Sequence, residues 1–381
     1  MSSMLCLVSR QTLQNLLPIL HYRPQRVFFL STREEDASRV ALEAVLRERG
    51  IICEPPVYVD AYDPGDIAQA CADIRDRLHG EQLRINLTGG TKVMSLAAYR
   101  VFAQTECEII YTDTPHARLL VLHPEGCTPE PLRADLDIFT YLRANGHLVA
   151  FRPLPSWGAH PELSAFIGQH ITILGPFLWA LRGRLGRGEL YVRLPFVRKR
   201  GKELQSLQGR PLLGMTAEAE RLLALGKEAG LIQRSRVTSE FVEISLTDSP
   251  ARAYFCGGWL EEYVEGVARN SGFDQVVRGV SLRWNDRSAE EKDELDVVIL
   301  HRYRLHVLSC KTGAYKDHIY ELESLSQRAG GLFTSATLVI SDERRSVTPA
   351  LCTRLDELRV SLWTAEDLPH LADRMQQTFA S

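Results

Sequence analysis

Asn86-Leu87-Thr88-Gly89-Gly90-Thr91-Lys92 decides how this chain is read. An apolar pulse precedes it (Leu83, Ile85), and a helix-compatible run, residues 93–103, follows at once. A strand, a small hydroxyl- and glycine-rich turn, then a helix: this order gathers free backbone N–H groups at the positive end of a helix dipole. That geometry binds anions, phosphates above all. Gly89 and Gly90 let the backbone approach a ligand closely, and Thr88, Thr91 and Lys92 add two hydroxyls and a cation. The spacing is neither a Walker A loop nor G-x-G-x-x-G. By itself the stretch marks a ligand edge.

Outward from this turn, residues 1–145 alternate short apolar pulses (5–8, 27–30, 57–59, 83–87, 109–111, 119–122) with helical stretches (11–20, 35–48, 64–78, 93–103). Such alternation predicts a Rossmann-like parallel sheet covered on both faces, with ligands beyond the carboxyl ends of its strands. Ser9, Ser31-Thr32, Thr88–Lys92 and Thr112-Asp113 all fall at that end. Residues 146–250 change pattern. Pro153 and Pro155 mark a break, 160–173 and 216–229 read as helices, and 231–232 with the alternating 241–246 read as a hairpin. Helix, turn and hairpin form a winged-helix-like segment, taken here as a connector in preference to a DNA reader. Residues 251–381 form a further α/β unit, with helices at 259–270, 319–328 and 349–358 and strands at 276–283, 295–300, 305–310 and 336–340.

Two sets of motifs stand out. The first comprises 5–8 followed by Ser9, 28–30 followed by Ser31-Thr32, the Asn86–Lys92 turn with Met94 and Ala97-Ala98-Tyr99 behind it, and Tyr111-Thr112-Asp113. It resembles the CRISPR-associated Rossmann-fold (CARF) family, whose members sense cyclic oligoadenylates. The second comprises Gly257-Gly258-Trp259-Leu260-Glu261-Glu262, Glu294-Leu295-Asp296-Val297-Val298 and Ser309-Cys310-Lys311-Thr312-Gly313. It resembles the restriction-endonuclease-like PD-(D/E)xK nucleases. Both sets in this order resemble the cyclic-oligoadenylate-activated nucleases of type III CRISPR antiviral defence. The resemblance implies a restriction-endonuclease-like C-terminal domain and a metal-dependent nuclease acting on DNA, RNA or both. It also implies an activator, with cyclic tetra-adenylate as the family expectation. A two-fold-symmetric ring fits a site shared across a homodimer. Ser9, Ser31, Thr32, Asn86, Thr88, Gly89, Gly90, Thr91, Lys92, Thr112 and Asp113 are the candidate ligand residues.

The chemistry of the second motif set can be read from pairing. Segments 295–300 and 305–310 flank His301-Arg302-Tyr303-Arg304, expected as a four-residue hairpin loop. Pairing 300 with 305 sets Asp296 opposite Ser309 and Glu294 opposite Lys311, on one face of the sheet. Phosphodiester hydrolysis calls for a divalent cation, and oxygen ligands suit Mg²⁺ or Mn²⁺. Asp296 is the leading metal ligand, with the Cys310 backbone carbonyl beside it. Lys311 can stabilise charge building on the phosphate. Glu261, at a helix start, supplies a second carboxylate, or its neighbour Glu262 does. One departure matters: two positions before the lysine, where the superfamily has an acid, stands Ser309. Either the acid has moved, to Glu261, Glu294 or Glu323, or metal binding is weak. His301, His306 and His318 have no metal-ligand spacing and are read as loop or edge residues.

Composition bounds the rest. A chain of 381 residues, 45% hydrophobic and 24% charged, suits two or three globular domains. A formal net charge of −3 excludes coating nucleic acid by bulk charge. Local patches remain, such as 182–187 with Arg193, Arg198, Lys199, Arg200 and Lys202. Eight dispersed cysteines without a Cys-x-x-Cys pair read as reduced thiols of a cytoplasmic protein. No apolar run of about 20 residues is present to span a membrane, and the N-terminus lacks the pattern of a signal peptide. A competing reading is a cyclic-oligoadenylate-responsive DNA-binding regulator with an inactive nuclease-like domain, favoured by Ser309. A third is a sensor that cleaves its own ligand.

Overall fold

The computed structural model describes residues 2–78, 80–126, 128–151, 158–196, 212, 214–284, 293–313, 315 and 318–379. Cys127, Pro153, Pro155, Arg198, Lys199, Arg200 and Lys202 lie outside them. The N-terminal unit runs β1 (Ser2–Leu7), α1 (Leu13–Tyr22), β2 (Arg26–Ser31), α2 (Asp36–Glu48), β3 (Ile52–Cys53), β4 (Val57–Tyr58), α3 (Pro64–Arg77), β5 (Gln82–Asn86), α4 (Lys92–Phe102), β6 (Glu108–Asp113), β7 (Arg118–His123) and β8 (Glu130–Pro131). Its strands lie in the order β3-β2-β1-β5-β6-β7-β8, with β4 beside β2. Strands β2, β1, β5 and β6 are mutually parallel, so their carboxyl ends share one edge. Both faces are covered, and the alternation along β1 shows it. Met4 and Cys6 enter one core, and Leu5 and Leu7 enter another beneath α3 and α4.

After α5 (Ile138–Ala144) comes β9 (His147–Phe151), a strand that the sequence pattern does not announce. The middle segment follows with α6 (Pro161–Gln169), α7 (Ile171–Leu185), β10 (Tyr191–Pro195), α8 (Ala217–Glu228), β11 (Ile232–Val237) and β12 (Phe241–Leu246). A single helix is expected over 160–173, but the chain turns by 110° between α6 and α7. Strands β10, β12 and β11 form an antiparallel sheet beside α8, a wing-like arrangement. The C-terminal unit holds α9 (Ser249–Ala253), α10 (Trp259–Asn270), β13 (Gln275–Trp284), β14 (Asp293–His301), β15 (Arg304–Lys311), α11 (Ile319–Gly330), β16 (Thr334–Ile340), α12 (Pro349–Glu357), β17 (Val360–Trp363) and α13 (Leu371–Phe379). Its sheet order is β17-β16-β15-β14-β13-β9, so the strand after α5 closes the far edge of the C-terminal sheet.

The packing binds the units together. One continuous core runs from Met4, Val27 and Phe29 of the first sheet through Tyr141 of α5 to Val298, Leu305 and Leu338 of the C-terminal sheet. On that sheet's other face, Trp259 and Tyr263 of α10 pack with Ile167, Phe177 and Leu222 of the middle segment. Among the described residues no single helix is long and apolar enough to cross a membrane, and the seven described cysteines are free.

Candidate ligand edge and nuclease centre

At the carboxyl edge of the first sheet, Asn86 is fully buried and organises the turn. Its Nδ2 donates to the Gln14 carbonyl (3.0 Å) and to Asn15 Oδ1 (2.7 Å). Its Oδ1 accepts from the Thr88 N–H (3.2 Å) and hydroxyl (2.6 Å). Thr88 Oγ1 in turn accepts from the Thr112 N–H at 2.7 Å, and Asn15 Nδ2 donates to the Leu7 carbonyl at 2.7 Å. The ends of β1, β5 and β6 are thereby tied into one hydrogen-bonded cluster. Gly89 is required here, because a Cβ would collide with the Leu7 carbonyl; Gly90 adopts φ +71°. Thr91 caps α4, accepting from the Met94 N–H at 3.2 Å and donating to the Ala61 carbonyl at 2.8 Å. Lys92 is exposed and, among the described residues, makes no ion pair.

The eleven candidate ligand residues thus divide. Ser9, Thr88, Gly90, Thr91 and Lys92 are at least partly open at the edge. Ser31, Thr32, Asn86, Gly89 and Thr112 are buried beneath it, Ser31 bonded to the Thr32 carbonyl at 3.0 Å. Asp113 is engaged by His116 (2.9 Å) and Arg118 (2.7 Å). Asn15, which holds Asn86, carries no motif signal in the sequence; its burial on the inner side of α1 is what reveals it.

In the C-terminal unit the assumed register holds, with Leu300 opposite Leu305. The loop is shorter than the expected four residues: His301 pairs with Arg304, and only Arg302 and Tyr303 turn, both with positive φ. That is the twist that two-residue hairpins require. Asp296 Oδ2 then accepts three hydrogen bonds, from the Cys310 N–H (2.7 Å), Lys311 Nζ (2.9 Å) and Ser309 Oγ (3.2 Å). The Asp296 side chain is 7% exposed and that of Lys311 27%. Burial works against the Lys311 charge, but the Asp296 carboxylate outweighs it, and the ammonium titrates above its usual range. Glu261 has its pKa pushed up to about 8, by burial first and then by the charges of Asp296 and Glu294. Glu294, Asp296, Ser309, Lys311, His318 and Glu321 share a cavity of about 270 Å³ under α11.

This crowding of carboxylates around one ammonium suits a hard cation with oxygen ligands. The donors do not yet converge: among the described residues, no three His, Cys, Asp or Glu side chains stand at ligating spacing. The structure also separates the alternatives for the second acid. Glu262 points away, its carboxylate accepting from Ser164 Oγ (2.6 Å) and the His160 N–H (2.9 Å) to anchor α6 on α10. Glu323 does not line the cavity, whereas Glu321, two residues earlier, does. His318, bonded to Glu321 at 3.0 Å, also lies there. His306 is not an edge residue: it is buried, stacked 4.1 Å from Phe379, and its pKa is pushed down to about 3 by burial. A larger hollow of about 680 Å³ lies behind β17, apart from these groups, and across its wall Arg374 pairs with Asp367 at 3.0 Å.

Comparison with known proteins agrees with both halves. Residues 4–138 match the family model of the Card1 CARF domain, and residues 248–381 that of the Card1-like endonuclease domain. Protein VC1899 from Vibrio cholerae is 21% identical with a TM-score of 0.81, over 100% of this chain and 98% of that one. Can2 from Sulfobacillus thermosulfidooxidans, solved with cyclic tetra-adenylate, is 22% identical with a TM-score of 0.76, over 98% and 96%. A type III CRISPR defence DNA nuclease activated by cyclic oligoadenylate shares 16% identity and a TM-score of 0.53, over 89% of this chain and 45% of that one. At these identities the likeness is one of fold. None of the curated proteins matches the chain. With a Card1 CARF domain ahead of the middle segment and a Card1-like endonuclease domain behind it, the chain belongs to the family of Card1-like CARF endonucleases.

Proposed function

We propose that this protein is a metal-dependent nuclease of type III CRISPR defence, switched on by a cyclic oligoadenylate held at the carboxyl edge of its first sheet. The observation that carries the reading is the Asp296–Lys311 pair on adjacent strands, inside the stretch that matches an endonuclease domain. Asp296, Glu261 and the Cys310 carbonyl would hold Mg²⁺ or Mn²⁺, which supplies charge neutralisation on the phosphate and hydroxide near neutral pH. Lys311 would place its ammonium on the scissile phosphate, and Ser309 would orient Asp296. Cyclic tetra-adenylate is the activator that the fold likeness to Can2 favours, and a two-fold ring calls for a homodimer with the ligand on its axis. Ser309 favours the inactive regulator, but the retained Asp296–Lys311 pair and the endonuclease match outweigh it.

Helix α11 supports coupling between the two sites. Its first turn carries Glu321 and, just before it, His318 on the cavity wall. Its last residue, Gly330, lies against Tyr141, and the next residue, Gly331, against Gln11, two residues beyond Ser9; a Cβ at Gly331 would come within 2.6 Å of Gln11 Nε2. Twelve residues span about 18 Å, so a shift of the Ser9–Gln11 loop reaches the cavity through one rigid element. The test incubates full-length protein with labelled DNA and RNA, with and without Mn²⁺, across cyclic oligoadenylates of different ring size. Light scattering should give twice the chain mass of 43.0 kDa. Cleavage independent of activator would refute the coupling, and no cleavage under any metal or activator would restore the regulator.

A further inference from the structure

We infer that Arg182, on connector helix α7, is a substrate-binding residue that grips the nucleic-acid backbone beside the nuclease centre. The inference rests on the nuclease reading above. Arg182 leaves the basic stretch 182–187 and turns inward, while Arg184 and Arg187 stay exposed. Its guanidinium lies flat against Gly313, two residues past Lys311, where a Cβ would come within 2.6 Å of it. Trp179, Phe255, Trp259, Thr312, Ser341 and Asp342 border the same crevice. Thr312 and Asp342 follow the parallel strands β15 and β16 at their carboxyl ends, the edge where such sheets receive ligands.

The guanidinium is half-buried and, among the described residues, has neither a hydrogen-bond acceptor nor an ion pair. Burial disfavours its charge, and the Asp342 carboxylate only partly offsets this. Five N–H donors in a planar fork suit bidentate contact with a phosphate. Partial burial weakens the hydration of the charge, and an incoming phosphate would supply an acceptor. The contact would lie by Thr312 and Gly313, the two residues that follow Lys311 at the end of β15. The middle segment would then contribute to substrate binding as well as connecting the domains.

The test uses full-length protein with cyclic tetra-adenylate and fluorescein-labelled DNA and RNA oligonucleotides, without divalent cation so that nothing is cut. Affinity is measured by anisotropy over a range of salt concentrations for the parent, Arg182→Ala, Arg182→Gln and Arg182→Lys. Loss of one phosphate contact should weaken binding about tenfold, equally across sequences, and reduce the slope of log K against log salt by about 1. Arg182→Lys should keep most of the slope. In cleavage assays KM should rise with kcat held. Arg182→Gln, which keeps length and polarity, guards against misfolding of Arg182→Ala. A residue that merely buttresses Gly313 would lower kcat and leave the slope intact, and that result overturns the inference. Parental affinity and slope in all variants does so too. A parent that binds neither DNA nor RNA defeats the nuclease reading along with it.

Discussion

Replacing Lys311 by Ala should move two quantities in opposite directions. The ammonium stands 2.9 Å from Asp296 Oδ2, the oxygen that a metal ion would need. In the metal-free protein it competes with the cation, and during cleavage it faces the charge building on the phosphate. Removing one such electrostatic donor costs about 2.7–4 kcal/mol, or 10²–10³ in kcat. For the metal the sign reverses. Two unit charges about 4 Å apart interact by about 4 kcal/mol at an effective dielectric constant near 20. Lys311 keeps 27% of its side-chain exposure, so the repulsion is screened. Even a third of it corresponds to roughly tenfold tighter metal binding. Initial rates at saturating Mn²⁺ and activator give kcat, and calorimetric titration of Mn²⁺ gives the affinity. Lys311→Arg, which keeps the charge, should leave metal affinity near parental. A Lys311→Ala variant that cuts at the parental rate, or binds Mn²⁺ no more tightly, would refute the assignment.

Asp296→Asn should abolish cleavage, by on the order of 10³ or more, since the amide keeps the shape but not the charge that holds the metal; binding of cyclic tetra-adenylate by calorimetry should be unchanged. Ser309→Ala should be milder in the same assay, because Asp296 keeps its bonds to the Cys310 N–H and Lys311. Glu261, with a pKa of about 8, holds a proton in the folded metal-free protein that the unfolded chain loses above its usual 4.5. Metal-free stability should therefore fall as pH rises from about 4.5 to 8. Mn²⁺ binding in this window should release a proton, strengthen with pH and lose that dependence in Glu261→Gln; calorimetry in buffers of different ionisation enthalpy reads the release. Lys92→Ala should weaken activator binding about tenfold or more by calorimetry, since Lys92 is an exposed cation at the mouth of the turn.

The alternation of apolar pulses with helical stretches determined the parallel sheet, because a strand covered on both faces must be apolar at nearly every position, as Leu5, Cys6 and Leu7 are. Hairpin arithmetic also brought Asp296, Ser309 and Lys311 together, since strand pairing at Leu300–Leu305 leaves little freedom one turn away. What the sequence could not decide was set by contacts distant along the chain. Glu261 and Glu262 are neighbours with equal claims, and only tertiary packing leaves Glu261 within reach of the charges of Asp296 and Glu294 while Glu262 turns to Ser164. Glu321 lines the cavity and Glu323 does not, because two residues on a helix differ by more than half a turn. His306 reads like any strand-edge histidine until α13, from the far end of the chain, lays Phe379 on it. The strand His147–Phe151 is short and follows closely on α5, and its pairing with β13, more than 100 residues later, is what makes it a strand. Local pattern fixes which residues alternate and which turns they leave. Which of two adjacent charges is buried, and against what, follows from tertiary packing alone, because burial depends on neighbours that sequence proximity does not supply.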